Sequence, residues 1–369
     1  MASQFGYSET AAPEIGETLQ QLFAATGKSG SLARSANTNI LVLCGGPGDG
    51  PGVEEYLDAL TSLQPGRVFL LCFDEKIRAM EVGISARCSI VAKGKSLCSE
   101  IIRLGVSPAV LPAVLIILRG QFLTGRRVEV YALDPRALQR LAPAVYELAD
   151  VFVFNSRACK QQLELLSEIS AKCALIADLG WMGLAAWRSE ARLLFDLERV
   201  RRSLAVIERV LVRVGGGAAE TAVDALLLAA WLVRGLEGLS FECRNGILTV
   251  KRRSGAQVML EFRKEEDGAD GEIAGVEFTF GKNPNCERAS VIRRGSKLFS
   301  EVDGVVMGGG KTIETAATEV DLLKQYLLLG EGLRSYREVL ALAIRLGGSF
   351  FRGCDRSVGR GKSCLDRGY

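Results

Sequence analysis

From Asn39 to Ala177, short apolar runs alternate with longer stretches in which apolar side chains return every third or fourth position. The runs Asn39–Cys44, Arg67–Phe73, Cys88–Ala92, Val128–Leu133, Val151–Phe154 and Cys173–Ala177 read as strands. Near-continuous apolarity, as in Val68–Cys72, suits a sheet covered on both faces. Helical periodicity marks Val53–Leu63, Pro108–Leu118, Pro135–Leu148 and Ser156–Ile169, the last opened by Ser156 as its N-cap. Strands interleaved with helices of this length predict an α/β domain, its sheet largely parallel with helices on both faces.

Beyond Asp196 the pattern changes. Ile207–Val214 alternates strictly, as a half-buried strand does, and Ala218–Arg234 follows as a long apolar helix. Asn245-Gly246 is the strongest hairpin signal in the chain. Further strands are predicted at Gln257–Phe262 and Val276–Phe280 across the acidic loop Glu265–Glu272, then helices at Glu314–Leu329 and Leu333–Leu346. This half reads as an α+β domain with an antiparallel meander. The expected divisions are an N-terminal helix and linker over 1–36, the α/β domain over 37–172, the α+β domain over 173–345, and a flexible basic tail over 346–369.

Composition narrows the chemistry. The chain has no histidine, which excludes Ser-His-Asp triads, Cys-His dyads and His-based zinc sites. Apolar residues make up 48% and charged residues 24%, a globular profile. The net charge of +3 resides in the tail, where Arg352, Arg356, Arg360, Lys362 and Arg367 face Asp355 and Asp366. A neutral body carries no nucleic-acid footprint. The apolar run Ala109–Leu118 contains a proline and is too short to span a bilayer, so no membrane association is expected. None of the 10 cysteines forms a C-x-x-C or a zinc-ligand cluster, and Cys44, Cys72 and Cys173 sit in apolar runs as small hydrophobes. The expectation is a reduced, cytoplasmic protein. Cys354 and Cys364, flanked by basic side chains that favour thiolate, form a candidate redox pair.

Four Gly-Lys-Ser/Thr triplets, at Gly27, Gly94, Gly310 and Gly361, lack the upstream glycine of a phosphate loop; Leu22, Ser89, Val305 and Arg356 stand there instead. The segment Gly45–Gly52 follows the first strand and precedes a helix, where a dinucleotide fingerprint would lie. Its spacing fails, because Pro51 takes the third glycine's place after Gly46 and Gly48, and two prolines remove amide donors. The segment therefore reads as a βα loop, one that would still line a ligand site at the sheet edge. Arg157, just past a strand end, is placed to meet an anion there.

The segment Asp178–Asp196, D-L-G-W-M-G-L-A-A-W-R-S-E-A-R-L-L-F-D, holds two of the chain's 3 tryptophans. It resembles the D-L-N-W-x-R-L-x-x-W-R signature of the OpcA family, the glucose-6-phosphate dehydrogenase assembly proteins. Arg34–Ile40, Cys98–Leu104, Leu148–Arg157 and Thr221–Trp231 are similar to further family segments in the same order. The chain departs from the pattern at Gly180 and Gly183, where the family has Asn and Arg, and at Ala185-Ala186.

That resemblance implies a non-catalytic regulatory subunit that binds and activates glucose-6-phosphate dehydrogenase, with no cofactor of its own. Asp178, Trp181, Trp187, Arg188 and Arg157 would then belong to the partner interface, an aromatic pair beside an Arg being a common hot-spot composition. Core packing of the two indoles is the competing reading. The functional alternatives are an enzyme acting on a phosphorylated or nucleotide-linked sugar, or a small-molecule sensor, both seated in the α/β domain. The enzyme would use the Gly45–Gly52 loop, with Asp134, Asp178 or Glu100 as acid or base.

Overall fold

A computed structural model describes residues 3–4, 8–9, 11–26, 32–34, 37–45, 51–92, 95–132, 135–158, 163–215, 222–244, 247–265, 272–281, 286–308, 310–312, 318–329 and 333–355. The chain forms two compact units. The first comprises Met1–Ala158, Ala171–Leu179 and Thr318–Leu333; the second comprises Cys159–Ser170, Gly180–Ala317 and Arg334–Tyr369.

The first unit is built on seven main strands: β1 (Asn39–Cys44), β2 (Arg67–Phe73), β3 (Val82–Ala92), β4 (Lys95–Val106), β5 (Val128–Ala132), β6 (Val151–Phe154) and β7 (Leu175–Asp178). Six of them run parallel in the order β4-β2-β1-β5-β6-β7. The chain winds outward from β1 in one direction, then returns and winds outward from β5 in the other. The order reverses between β1 and β5, the switch point of a doubly wound sheet. Every residue of β1, β5 and β6 is buried, as their apolar runs require of strands covered on both faces. Strand β3 adds an antiparallel hairpin to β4, with Cys88 directly opposite Cys98.

Helix α1 (Ile15–Thr26) packs on β3 and buries Ile15 and Leu19. Helix α2 (Pro51–Leu63) follows β1 with proline at its first position, where the missing amide costs nothing. It is followed along the chain by α3 (Leu111–Gln121), α4 (Pro135–Val145) and α5 (Leu163–Lys172), the last belonging to the second unit up to Ser170. The helix expected over Pro135–Leu148 gives way to a 3-10 turn at Tyr146–Leu148, just past Pro143. Ser156 opens a 3-10 turn at the strand end; of the helix expected over Ser156–Ile169, residues 159–162 lie outside the described residues and the part from Leu163 on is helical.

In the second unit, α6 (Leu179–Gly183, from Gly180 on), α7 (Ala185–Asp196) and α8 (Glu198–Ser203) precede β8 (Ile207–Gly215) and α9 (Ala222–Gly235). Strands β9 (Gly238–Arg244), β10 (Ile247–Arg252), β11 (Gln257–Glu265), β12 (Ile273–Phe280), β13 (Arg288–Arg294) and β14 (Lys297–Val302) complete a sheet of order β9-β10-β11-β8-β12-β13-β14. Only the β8–β11 pairing in this order is parallel. Helix α7 covers β13 and β14, and Phe195 meets Phe278 edge-on at 4.9 Å. Glu277 faces the other side, where Arg213 reaches Glu265 at 2.8 Å and Glu277 at 3.2 Å. The expected fold class is therefore present: a parallel-dominated α/β sheet, then a mostly antiparallel one. Helix α10 (Glu319–Leu329) belongs to the first unit, packed on α2, and α11 (Leu333–Asp355) follows it.

Candidate functional site

The carboxyl ends of the parallel strands bring chemistry together at one edge of the first unit. Strand β1 ends at Cys44, with the glycine-rich stretch next; Gly46–Gly50 lie outside the described residues. Strand β2 ends at Phe73, and Asp74 follows as a half-buried carboxylate. Its Oδ1 accepts the backbone amide of Lys76 at 2.8 Å, and its own amide donates to Val106 O at 2.9 Å. The carboxylate is thus held at the mouth of the second strand. Sequence reading passed over Asp74, because a lone acid after an apolar run looks like the first residue of a loop.

Ser107 follows β4 and Ser156 lies just past β6; both are buried, and neither hydroxyl has a hydrogen-bond partner among the described residues. Asp178 ends β7, is buried, and accepts the amide of Ser156 at 2.8 Å, tying two neighbouring strand ends. Arg157 is half-buried, its amide donating to Asn155 Oδ1 at 3.1 Å. Asp178 and Arg157 thus share this edge.

Trp181, Trp187 and Arg188 belong to the second unit, and all three are buried. The Arg188 guanidinium stacks 3.7 Å from the Trp181 ring centre and donates to Trp181 O at 2.5 Å. Tyr336 meets the same indole at 5.7 Å. The arrangement is a packed cation–π cluster. Hence the five residues expected at one interface divide between the two units.

Glu100, a candidate acid or base, is buried opposite Arg67, whose Nε lies 2.6 Å from its carboxylate. Arg67 is the first residue of β2, so Glu100 sits toward the amino edge of the sheet, away from Asp74. Asp134 lies outside the described residues, as does Cys364; Cys354 falls in the last turn of α11, whose side chains there are not described. Lys311 of one Gly-Lys-Thr triplet donates to Ser189 Oγ at 2.8 Å, a bond within the second unit. Cys88 and Cys98 form a disulfide, which corrects the expectation of a fully reduced chain. Cys44, Cys72 and Cys173 are buried, as their apolar surroundings implied. Among the described residues no helix is long and apolar enough to cross a membrane.

No family model matches the sequence, and a comparison with curated proteins finds no relative. Solved structures share the fold. An oxidoreductase from Sinorhizobium meliloti aligns with a TM-score of 0.50 at 9% identity, covering 87% of this chain and 98% of that one. A 3-ketoreductase from Actinomadura kijaniata, solved with TDP-benzene and NADP, gives 0.46 at 13% identity over 86% and 98%. Biliverdin reductase from Synechocystis, solved with biliverdin and NADP+, gives 0.43 at 10% identity over 87% and 99%.

These findings correct the expected kinship with glucose-6-phosphate dehydrogenase assembly proteins. The Sinorhizobium structure, an oxidoreductase, aligns over nearly its whole length. The expectations of a non-catalytic chain, of an allosteric activator and of a place in the pentose phosphate pathway fall with that kinship. The resemblance rested on short apolar and aromatic words in a shared order. The tryptophan segment carries such words because it packs a core.

Proposed function

We propose that this chain is an oxidoreductase that binds a nicotinamide dinucleotide along the carboxyl edge of its parallel sheet. The observation that carries the reading is the strand order: six parallel strands reversing between β1 and β5, a glycine-rich segment after the first and an acid after the second. In such sheets the ligand lies across the switch point, its pyrophosphate at the start of the helix after the first strand. Here that helix is α2. Asp74 occupies the position from which a carboxylate accepts the adenosine ribose 2′-hydroxyl, and a carboxylate there disfavours a 2′-phosphate. The residues present fit NAD(H) better than NADP(H). When bound, the group supplies a hydride acceptor or donor; the chain's own part is to bind and orient it. The glycine spacing departs from G-x-G-x-x-G at Pro51, so Gly46 and Gly48 must admit the pyrophosphate without a third glycine. The fold shared with the Sinorhizobium oxidoreductase supports the same reading.

Titration of the purified full chain with NADH and NADPH, followed by quenching of tryptophan fluorescence, tests it. NADH is expected to bind in the micromolar range and at least tenfold more tightly than NADPH. Asp74→Ala should weaken NADH about tenfold, the loss of a charge-assisted hydrogen bond, and narrow the preference. Absence of binding by either nucleotide at millimolar concentration would sink the reading.

A further inference from the structure

Arg87 lies on β3, in the antiparallel hairpin, yet its side chain is only 3% exposed. Its Nη1 donates to the backbone oxygen of Glu54 at 2.9 Å, and its guanidinium pairs with the carboxylates of both Glu54 and Asp58. Both acids belong to α2, Glu54 in its first turn and Asp58 about one turn on. An acid in a first turn ordinarily complements the helix dipole. In a helix whose start receives a pyrophosphate, the same charge opposes the ligand. One buried guanidinium placed against both acids reduces that conflict by offsetting one of the two negative charges.

We propose that Arg87 is a positioning residue for the dinucleotide, acting through α2. Its single positive charge offsets one of the two negative charges of Glu54 and Asp58, so that the start of the helix stays more receptive to the pyrophosphate. The inference rests on the nucleotide-binding reading above and names a residue that never touches the ligand. Neutralising Arg87 alone takes that offset away from both carboxylates. Neutralising all three together removes both negative charges along with the positive one.

NADH and adenosine binding are compared in the full-length wild type, Arg87→Met, Arg87→Lys and the triple variant Glu54→Gln/Asp58→Asn/Arg87→Met. Arg87→Met is expected to raise the NADH Kd tenfold or more while leaving adenosine, which carries no phosphate, unchanged. The triple variant and Arg87→Lys are expected within threefold of the wild type for NADH. A merely structural role would weaken both ligands together and would leave the triple variant as poor as Arg87→Met; either result overturns the proposal. So does equal NADH affinity in Arg87→Met and wild type. Should Arg87→Met fail to fold by circular dichroism, the other two variants decide, and a tenfold loss in either counts against the charge argument. A wild type that fails to bind NADH removes the parent reading and this one with it, whereas normal wild-type binding confines any negative result to Arg87.

Discussion

Tyr56, Tyr131 and Tyr326 come from α2, β5 and α10 and meet in the interior of the first unit, with Tyr56 and Tyr131 edge-on at 6.4 Å. The Tyr131 hydroxyl donates to Glu129 Oε2 at 2.8 Å. Burial pushes the Tyr326 phenol up to about 12, with the Glu129 charge adding to it. Burial also raises Tyr131, again with Glu129, and Tyr56, with Glu319. A raised folded-state pKa contributes stability that is fully present below the unfolded value near 10 and lost as pH climbs through the folded value. The melting temperature is therefore expected to hold steady up to about pH 10 and to fall between about pH 10 and 12. Tyr326→Phe should flatten that fall. Thermal melts with absorbance at 295 nm check it, and an unchanged slope in the variant would refute the assignment. At this scale the sequence was legible where burial alone decides, as for Cys44, Cys72 and Cys173. It was opaque where a partner decides: nothing local to Glu100 announces Arg67, and nothing local to Asp74 announces which strand it ends.

Elements were legible in proportion to how local their cause is. The limits read for β1, β2 and β6 match the structure because an apolar run closed by polar residues needs no distant information. Strands β13 and β14 went unread because arginine, serine and glutamate alternate with their apolar residues and blur the period. The Cys88–Cys98 pair was missed for a related reason: hairpin register, not a spacing motif, sets them opposite each other. Closing so short a loop should stabilise the chain by about 2.5 kcal/mol through the unfolded state. Urea denaturation of the Cys88→Ser/Cys98→Ser variant is expected to show that loss, and thiol titration should gain two groups on reduction of the denatured wild type. No gain in thiols would remove the bridge. Helix α10 starts with a local device. The Thr318 hydroxyl and amide both donate to Asp321 Oδ2, at 2.8 and 3.0 Å, and the Asp321 amide returns to the Thr318 hydroxyl at 3.2 Å. These bonds from Thr318 hold the Asp321 carboxyl below its ordinary value. A depressed carboxyl contributes above its unfolded pKa and loses that contribution as acid protonates it. Thr318→Ala should lower the melting temperature by a few degrees near neutral pH and have less effect below about pH 3.

Fold class followed from the alternation of strands and helices, but strand order did not, because parallel pairings join segments far apart in sequence and leave no local trace. The same holds for the chain's return: α10 lies far from α2 in sequence and yet completes the first unit. Leu323 of α10 is wholly buried and Tyr326 nearly so, while on α2 Tyr56, Leu57 and Leu60 are buried. Without α10 the part of α2 that it covers would meet water, and each large side chain so exposed costs about 1.5–3 kcal/mol. The loss is of the same order as the whole stability of a domain. A chain ending at residue 179 is therefore expected to lose cooperative unfolding, to bind an apolar dye, and to hold NADH weakly, since α2 carries the start of the proposed pyrophosphate site. A peptide of residues 318–333 added in trans should restore cooperativity and quench the dye signal. If the shortened chain melts as sharply as the full one with no dye bound, α10 is an appendage and the first unit ends at β7.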